Sequence, residues 1–277
     1  MSTRRATMRK PVRKPVKGTP RWVLPAAVLA GIALVVAAFF LYRWYITPQT
    51  PKTPAADVTQ ALVNQITTLP ATEFETVGLG TASNEIVAIS GAALTGPTGK
   101  PLVLYIGAEY CPFCAAERWA LIVALGRFGT FSGLHTTTSS SSDAFPDTPT
   151  FTFHGATYTS EYLDFRAVET TDRDQNPLET PSAADQAVFT KYGTGSIPFV
   201  DFANRYVLNK ATYQPDLLGG QSWQAIADEL RDPNTPQAKA VVGSANLITA
   251  AICKAMADKN ASVCSTAGIQ TLEKKLG

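Results

Sequence analysis

The sequence predicts an α/β domain preceded by one transmembrane helix, and three features of the chain carry this prediction. An uncharged apolar run extends from Trp22 to Tyr42, a short strand-like run covers Pro101 to Ala108, and a second one covers Pro198 to Phe202. The first strand-like run is followed at once by a helical pattern, as in a strand–turn–helix unit. With 45% hydrophobic residues among 277, the chain is too apolar to be wholly disordered.

Charge is divided unevenly along the chain. Ten of the 24 Lys and Arg residues precede position 53, whereas no acidic residue precedes Asp57. The rest of the chain carries 14 basic and 22 acidic residues, so its net charge is −8. Because phosphate binding requires a basic surface, we do not expect nucleic acid as a partner of this acidic part.

The uncharged run near the start has 21 residues, about the length that a helix needs to cross a bilayer. Eight Lys and Arg residues precede it, which predicts a cytoplasmic N-terminus. A buried core helix would be less apolar all round, and a cleaved signal peptide would be shorter and end in small residues, whereas residues 39–42 are Phe-Phe-Leu-Tyr. We therefore expect a basic cytoplasmic tail over residues 1–21 and a retained signal anchor over residues 22–45.

A Pro-rich segment follows the anchor. Pro48, Pro51 and Pro54 recur at a spacing of three, which predicts an extended, semi-rigid linker over residues 46–56. Residues 57–277 are then expected to form an extracytoplasmic domain with a C-terminal helical extension. The protein is thus predicted to be a single-pass protein of the cell membrane, in contact with the lipid bilayer through residues 22–45.

Hydrophobic periodicity predicts the elements of this domain. Helical patterns cover Asp57 to Ile66, Ala115 to Phe128, Ser182 to Tyr192, Ser222 to Leu230 and Gln237 to Met256, and strand patterns cover Pro101 to Ala108, Phe151 to Tyr158, Pro198 to Phe202 and Tyr206 to Leu208. Ser182 and Ser222 stand where N-caps are expected. The stretch from Thr136 to Thr150 is poor in apolar residues and is expected to be a long loop, and Phe151 to Tyr158 is either one strand or a hairpin.

The motif Cys111-Pro112-Phe113-Cys114 lies between the first strand and its helix. With Cys111 at the N-cap, its sulfur meets unpaired N–H groups and the positive end of the helix dipole, which stabilise a thiolate. Pro112 suits the first helical position because it has no N–H to leave unpaired. We expect Cys111 to be the exposed attacking sulfur and Cys114, one turn inside, to be the resolving sulfur.

Two other roles would use the same motif. A purely structural bridge between residues three apart closes almost no loop and stabilises a fold little. A zinc site would need further ligands, and only Cys253, Cys264, His135 and His154 are available in a sequence without a second Cys-x-x-Cys. We therefore expect no metal and no dissociable cofactor, and we expect both histidines to be ordinary packed or surface residues.

Cys253 and Cys264 enclose ten residues between two helical patterns. The expected role is a stapling disulfide that closes a short loop near the chain end. The alternative is a second redox pair that relays electrons to Cys111 and Cys114, and nothing in the spacing favours this relay.

These residues resemble the thioredoxin-like superfamily, in particular its membrane-anchored, extracytoplasmic thiol–disulfide oxidoreductases. The run from Ala108 to Cys114 is similar to the active-site turn of thioredoxin, glutaredoxin and DsbA-type proteins. Gly195 to Val200 matches, in order and context, the segment that in the family holds a proline in cis facing the disulfide. The resemblance covers mainly residues 100–129 and 193–230, and it implies a thioredoxin-like fold with insertions.

The resemblance also implies roles for single residues. Cys111 and Cys114 would be catalytic, and Ile197, Pro198 and, within the turn, Pro112 and Phe113 would bind the substrate polypeptide.

One departure from the family concerns proton transfer. Thioredoxin carries a buried acid six residues before the first cysteine, and that position is Tyr105 here. Glu109, expected to face solvent, and Glu117, on the helix beside Arg118, are the candidates to replace it.

The expected function is that of a membrane-anchored thiol–disulfide oxidoreductase acting on exported thiol and disulfide proteins, with a redox partner in the membrane. Oxidase, reductase and isomerase stay open, because they differ in reduction potential. The alternatives are a non-catalytic thioredoxin-like module that binds peptides and a metallochaperone that uses both thiolates. The whole chain is also similar to an uncharacterised family of anchored thioredoxin-like proteins known as a domain of unknown function, a resemblance that adds no activity.

Overall fold

A computed structural model of the chain describes residues 23–46, 56–256 and 261–276. The basic tail predicted over residues 1–21 and most of the linker predicted over residues 46–56 lie outside the described residues.

The first of two compact units, Met1–Gln49, contains helix α1 (Val23–Ile46). Its described large apolar side chains are exposed: Ile32, Leu34, Val35, Val36, Phe39, Leu41 and Tyr42. Within the described part of the chain, no helix has both the length and the apolar character that crossing a membrane requires. The span predicted over residues 22–45 is not confirmed and stays a prediction.

The second unit, Thr50–Gly277, is a mixed α/β domain, as the sequence predicts. Its helices are α2 (Ala56–Thr67), α3 (Ala71–Val77), α4 (Pro112–Leu125), α5 (Ala183–Tyr192), α6 (Trp223–Glu229), α7 (Pro236–Ala255) and α8 (Ala267–Glu273). Its strands are β1 (Ile86–Ala88), β2 (Leu102–Gly107), β3 (Gly129–Ser132), β4 (His135–Thr138), β5 (Pro149–Thr152), β6 (Thr157–Ser160), β7 (Asp164–Glu169), β8 (Phe199–Phe202) and β9 (Tyr206–Leu208). Ser182 and Ser222 cap α5 and α6 through their side chains, as expected.

The main sheet has five strands in the order β1-β9-β8-β2-β7. Strand β2 is parallel to β7 and antiparallel to β8, so the sheet is mixed. Two further two-stranded sheets pair β3 with β6 and β4 with β5.

Strand β2 is buried on both faces, which explains its continuous apolar sequence. Because successive side chains alternate between faces, Val103 and Tyr105 join the core that contains α4 and α7. Leu104 and Ile106 join a smaller core that packs against α5. Helix α4 is buried along nearly its whole length, and this burial fixes the start of the helix relative to the sheet.

The prediction of a long loop from Thr136 to Thr150 is wrong in part. The ends of this segment belong to the β4–β5 hairpin, and only residues 139–148 connect the two strands. Threonine is β-branched and favours strands even where apolar residues are few. The hairpin is held to the core by Trp119 Nε1, which donates to the Pro149 carbonyl oxygen at 2.9 Å. The segment from Phe151 to Tyr158 contributes to two strands, β5 and β6, which pair with different partners.

Cys253, on the last turn of α7, forms the predicted disulfide with Cys264. Cys253 is 0% exposed and Cys264 is 2% exposed. Because thiol–disulfide exchange requires access to a sulfur, this burial favours the staple over the electron relay.

Removing this bridge by the double substitution C253A/C264A is expected to lower the free energy of unfolding by about 2 to 3 kcal/mol, through the loop entropy of the denatured chain. Urea titration of the full-length protein measures the change, with Val263→Ala as a control that leaves the bridge intact. A loss below about 0.5 kcal/mol, the size expected of surface substitutions, would show that the bridge does not staple the fold.

Candidate active site

The two cysteines of the motif lie at the turn from β2 into α4. Cys111 is the N-cap of α4 and Pro112 its first residue, so both predicted positions are confirmed. The backbone N–H of Cys114 donates to Cys111 Sγ at 3.3 Å. The Cys111 N–H donates back to the Ala108 carbonyl oxygen at 3.3 Å, which closes the turn. Both cysteines are free thiols.

The Pro198 segment meets this turn because β8 runs antiparallel to β2, with Phe199 opposite Ile106. The start of β8 therefore lies beside the end of β2. The Ile197–Pro198 peptide bond is cis, as the resemblance implies. The Cys111 thiol faces the Ile197 carbonyl oxygen at 4.0 Å, which brings together residues 86 positions apart.

The surroundings of the two thiols shift their pKa values in opposite directions. Hydrogen bonding from Cys114 lowers the pKa of Cys111, and the positive charge of Arg118 helps, although burial acts against both. Burial raises the pKa of Cys114 well above its ordinary value, and the neighbouring Cys111 raises it further. Cys111 is thus the sulfur that more readily becomes a thiolate at neutral pH.

Cys111 is less exposed than the sequence predicts. Its exposed fraction is 6% and that of Cys114 is 0%, so only Cys111 reaches the surface at all. Pro198 is buried, whereas Ile197 and Phe113 are half-buried.

The loop over residues 139–148 lies against the active-site turn. The Ser140 N–H donates to the Tyr110 carbonyl oxygen at 2.9 Å. The Phe145 ring meets the Phe113 ring edge-on, with centroids 5.7 Å apart. The serine-rich segment therefore packs against the turn that carries Cys111.

A buried ion pair lies beneath the same turn. Arg118 is 0% exposed, and its guanidinium donates to both carboxylate oxygens of Glu169, at 2.8 and 3.1 Å. It also donates to the Tyr105 hydroxyl at 3.2 Å and to the Ala108 carbonyl oxygen at 2.6 Å. Tyr105, at the position of the expected acid, is therefore a hydrogen-bond partner of an arginine.

Glu169 is placed here because β7 is parallel to β2, which pairs Glu169 with Gly107 at the carboxyl ends of both strands.

The two predicted proton-transfer residues lie in different surroundings. Glu109 was expected to face solvent but is buried, with an exposed fraction of 9%, because its N–H donates to the Thr171 carbonyl oxygen at 2.9 Å and docks it on the segment after β7. Glu117 accepts hydrogen bonds from the N–H and hydroxyl of Thr212 at 2.9 and 3.0 Å and from Ser244 at 3.4 Å. Among the described residues, neither carboxylate has a hydrogen bond to a cysteine, and their role in proton transfer stays a prediction.

The two histidines lie at the surface, as expected. His154 Nδ1 is 2.7 Å from Glu179 Oε1. In the part of the chain that the structure describes, no three His, Cys, Asp or Glu residues are close enough to hold a metal ion.

The sequence reasoning missed Arg118 and Glu169 as parts of the site. A signal for Arg118 was present, since it lies four residues after Cys114 in a helical stretch that is apolar from Ala115 to Leu125 except for Arg118 and Glu117. Residues four apart share a helix face, so a charge there must be buried with a partner. Glu169 had no such signal, because its position depends on strand pairing.

The chain matches a family model described as a domain of unknown function (DUF929) over residues 85–254, more than half of its length. The matched range includes Cys111, Cys114 and Pro198. No curated protein and no solved structure matches the chain. The chain therefore belongs to the family described as the domain of unknown function DUF929.

Proposed function

We propose that this domain is a thiol–disulfide oxidoreductase that exchanges disulfides with exported proteins through Cys111 and Cys114, on a thioredoxin-like fold with insertions. One observation carries the proposal. Cys111 Sγ accepts the Cys114 N–H at 3.3 Å, at the start of a helix, and lies 4.0 Å from the Ile197 carbonyl oxygen. A thiolate stabilised by a helix start, beside a backbone carbonyl, suits the covalent capture of an extended polypeptide.

The two thiols would act in different steps of the reaction. A thiolate attacks a disulfide sulfur to give a mixed disulfide, which a second thiolate then resolves. The lowered pKa and residual exposure of Cys111 support it as the sulfur that reacts with the substrate. Cys114 is fully buried, so it would react only with Cys111.

The substrate surface that we propose consists of the half-buried Ile197 and Phe113, with Pro198 and Pro112 as the buried framework beneath them. The Ile197 carbonyl would pair with the backbone of the captured polypeptide, as an added strand does at a sheet edge. Such main-chain recognition tolerates many sequences, which suits an enzyme that acts on several exported proteins.

The proposed location is outside the cytoplasm, with residues 22–45 as an anchor in the cell membrane and a redox partner in that membrane. The eight basic residues before the apolar run support this orientation. The Cys253–Cys264 disulfide also supports it, since disulfides persist mainly in oxidising compartments.

The reduction potential of Cys111–Cys114 tests the proposal. Because thiolate stabilisation favours the reduced form, we expect a value of about −120 to −200 mV, the range of oxidants and isomerases. The full-length protein is equilibrated in glutathione buffers, its thiols are trapped, and both cysteine pairs are quantified by mass spectrometry. A value of about −270 mV would make it a reductase, and one below about −300 mV, typical of structural bridges, would contradict the proposal.

A further inference from the structure

Arg118 lies on the same face of α4 as the resolving cysteine. It follows Cys114 by four residues, and residues so spaced are neighbours on a helix surface. Both side chains are 0% exposed. In such surroundings water screens a charge weakly, so a fixed cation acts strongly on a nearby sulfur.

The guanidinium is held in place from two sides. Glu169 binds it through both carboxylate oxygens, and the Ala108 carbonyl oxygen accepts from Nη2 at 2.6 Å. Ala108 is also the acceptor for the Cys111 N–H. Arg118 thus supports the same turn that positions the attacking sulfur.

The ion pair leaves part of the guanidinium unpaired. Nη1 of Arg118 is buried and has no hydrogen-bond acceptor among the described residues. A buried N–H donor without an acceptor destabilises the folded protein. The same donor stabilises negative charge that develops beside it during a reaction.

We propose that Arg118 is a positioning residue of the exchange reaction, whose buried positive charge stabilises the thiolates of Cys111 and Cys114. The inference rests on the proposed function and adds to it the group that compensates the buried negative charge. Tyr105 occupies the position where a proton-accepting acid was expected. The fixed charge of Arg118 would replace the function of that acid by stabilising the thiolate directly.

The step on which Arg118 acts is the opening of the internal disulfide. A substrate thiolate bonds to Cys111 Sγ, the Cys111–Cys114 bond breaks, and its electron pair stays on Cys114 Sγ. The substrate's second thiolate then attacks the mixed disulfide and releases Cys111 as a thiolate. The substrate dithiol is oxidised to a disulfide and the protein disulfide is reduced. Of the two protons that the substrate thiols lose, Cys114 takes up one, and the other goes to solvent because Cys111 stays a thiolate. Burial opposes the Cys114 thiolate, and the charge of Arg118 counters that effect.

Two measurements on the full-length protein test this role: the pH midpoint of Cys111 alkylation by iodoacetamide, and the rate at which reduced glutathione opens the internal disulfide. For Arg118→Met we expect the midpoint to rise by about one pH unit and the opening rate to fall about threefold or more, as a Brønsted slope near 0.5 implies. Arg118→Lys keeps the charge but loses the bidentate contact with Glu169, so its midpoint and its opening rate should lie between those of the wild type and those of Arg118→Met.

Glu169→Gln separates the electrostatic role from a structural one. It removes the compensating negative charge and keeps the cation, so the midpoint should fall and the opening rate should rise. A merely structural ion pair would impair both variants in the same direction. This opposite shift also decides the question if Arg118→Met fails to fold, as judged by circular dichroism.

Arg127→Met is the matched control. Arg127 lies just beyond the far end of α4 and bonds to Asn246 and Thr249 on α7, so neither measurement should change. Unchanged values in folded Arg118→Met, or no opposite shift in Glu169→Gln, would overturn the inference. The alkylation midpoint requires no substrate, so a failure of the Arg118 role and a failure of the proposed exchange activity give different results.

Discussion

Replacing Cys111 by serine is expected to abolish disulfide exchange, the largest effect on activity that the site predicts. A serine hydroxyl does not form a disulfide, and Cys114 is 0% exposed and does not reach a substrate in place of Cys111. The measurement is the oxidation of a fluorescently labelled peptide with two cysteines by the full-length protein in glutathione buffer. Turnover of Cys111→Ser should equal the rate in buffer alone.

Cys114→Ser is the matched control for this experiment. It keeps Cys111 and removes the resolving sulfur. When the peptide is supplied in its disulfide form, the Cys111 thiolate opens that disulfide and no Cys114 thiol is present to release the product, so the mixed disulfide between Cys111 and the peptide should accumulate and appear by mass spectrometry. Turnover that survives in Cys111→Ser would contradict the assigned roles. Peptide binding without turnover, equal in Cys111→Ser and the wild type, would instead support the non-catalytic binding module.

The local geometry of the active-site turn could be predicted from the sequence, because short-range preferences determine it. Cys111 caps α4 and Pro112 begins it, and each position follows from what a helix start requires of its own residues. Strand β2 could also be predicted from the sequence, since a strand buried on both faces must be apolar throughout. The approach of Ile197 to Cys111 was implied only by the family resemblance, and the register of β8 on β2 accounts for it.

What the sequence could not predict depends on pairing between distant segments. Glu169 lies 51 residues from Arg118, and only the parallel register of β7 on β2 brings the two together. The burial of Glu109 likewise depends on a hydrogen bond to Thr171, in the segment after β7. Apolar periodicity carries no information on such contacts, because polar side chains and backbone groups make them.

Glu117→Gln is expected to stabilise the fold at alkaline pH by about 3 kcal/mol, the largest effect on stability that the structure predicts. Burial raises the pKa of Glu117 from 4.5 to about 7, although hydrogen bonds from Thr212 and Ser244 oppose the rise. The folded state therefore keeps a proton that the unfolded chain loses near pH 4.5. Stability falls as the pH rises from about 4.5 to 7, and about 1.36 kcal/mol is lost per pKa unit.

Glutamine mimics the protonated carboxyl, since its oxygen accepts from the Thr212 N–H and its amide donates to the Ser244 hydroxyl. The nearby Tyr213 hydroxyl bonds to the Ala116 carbonyl oxygen, and this bond is unaffected by the change. Urea unfolding at pH 4 and pH 8 measures the effect: the variant should equal the wild type at pH 4 and exceed it at pH 8. Glu75→Gln, which alters an exposed carboxyl on α3, should follow the wild type at both values. A Glu117→Gln effect of the same size at both pH values would mean that packing, and not ionisation, determines the stability of the α4–α7 contact.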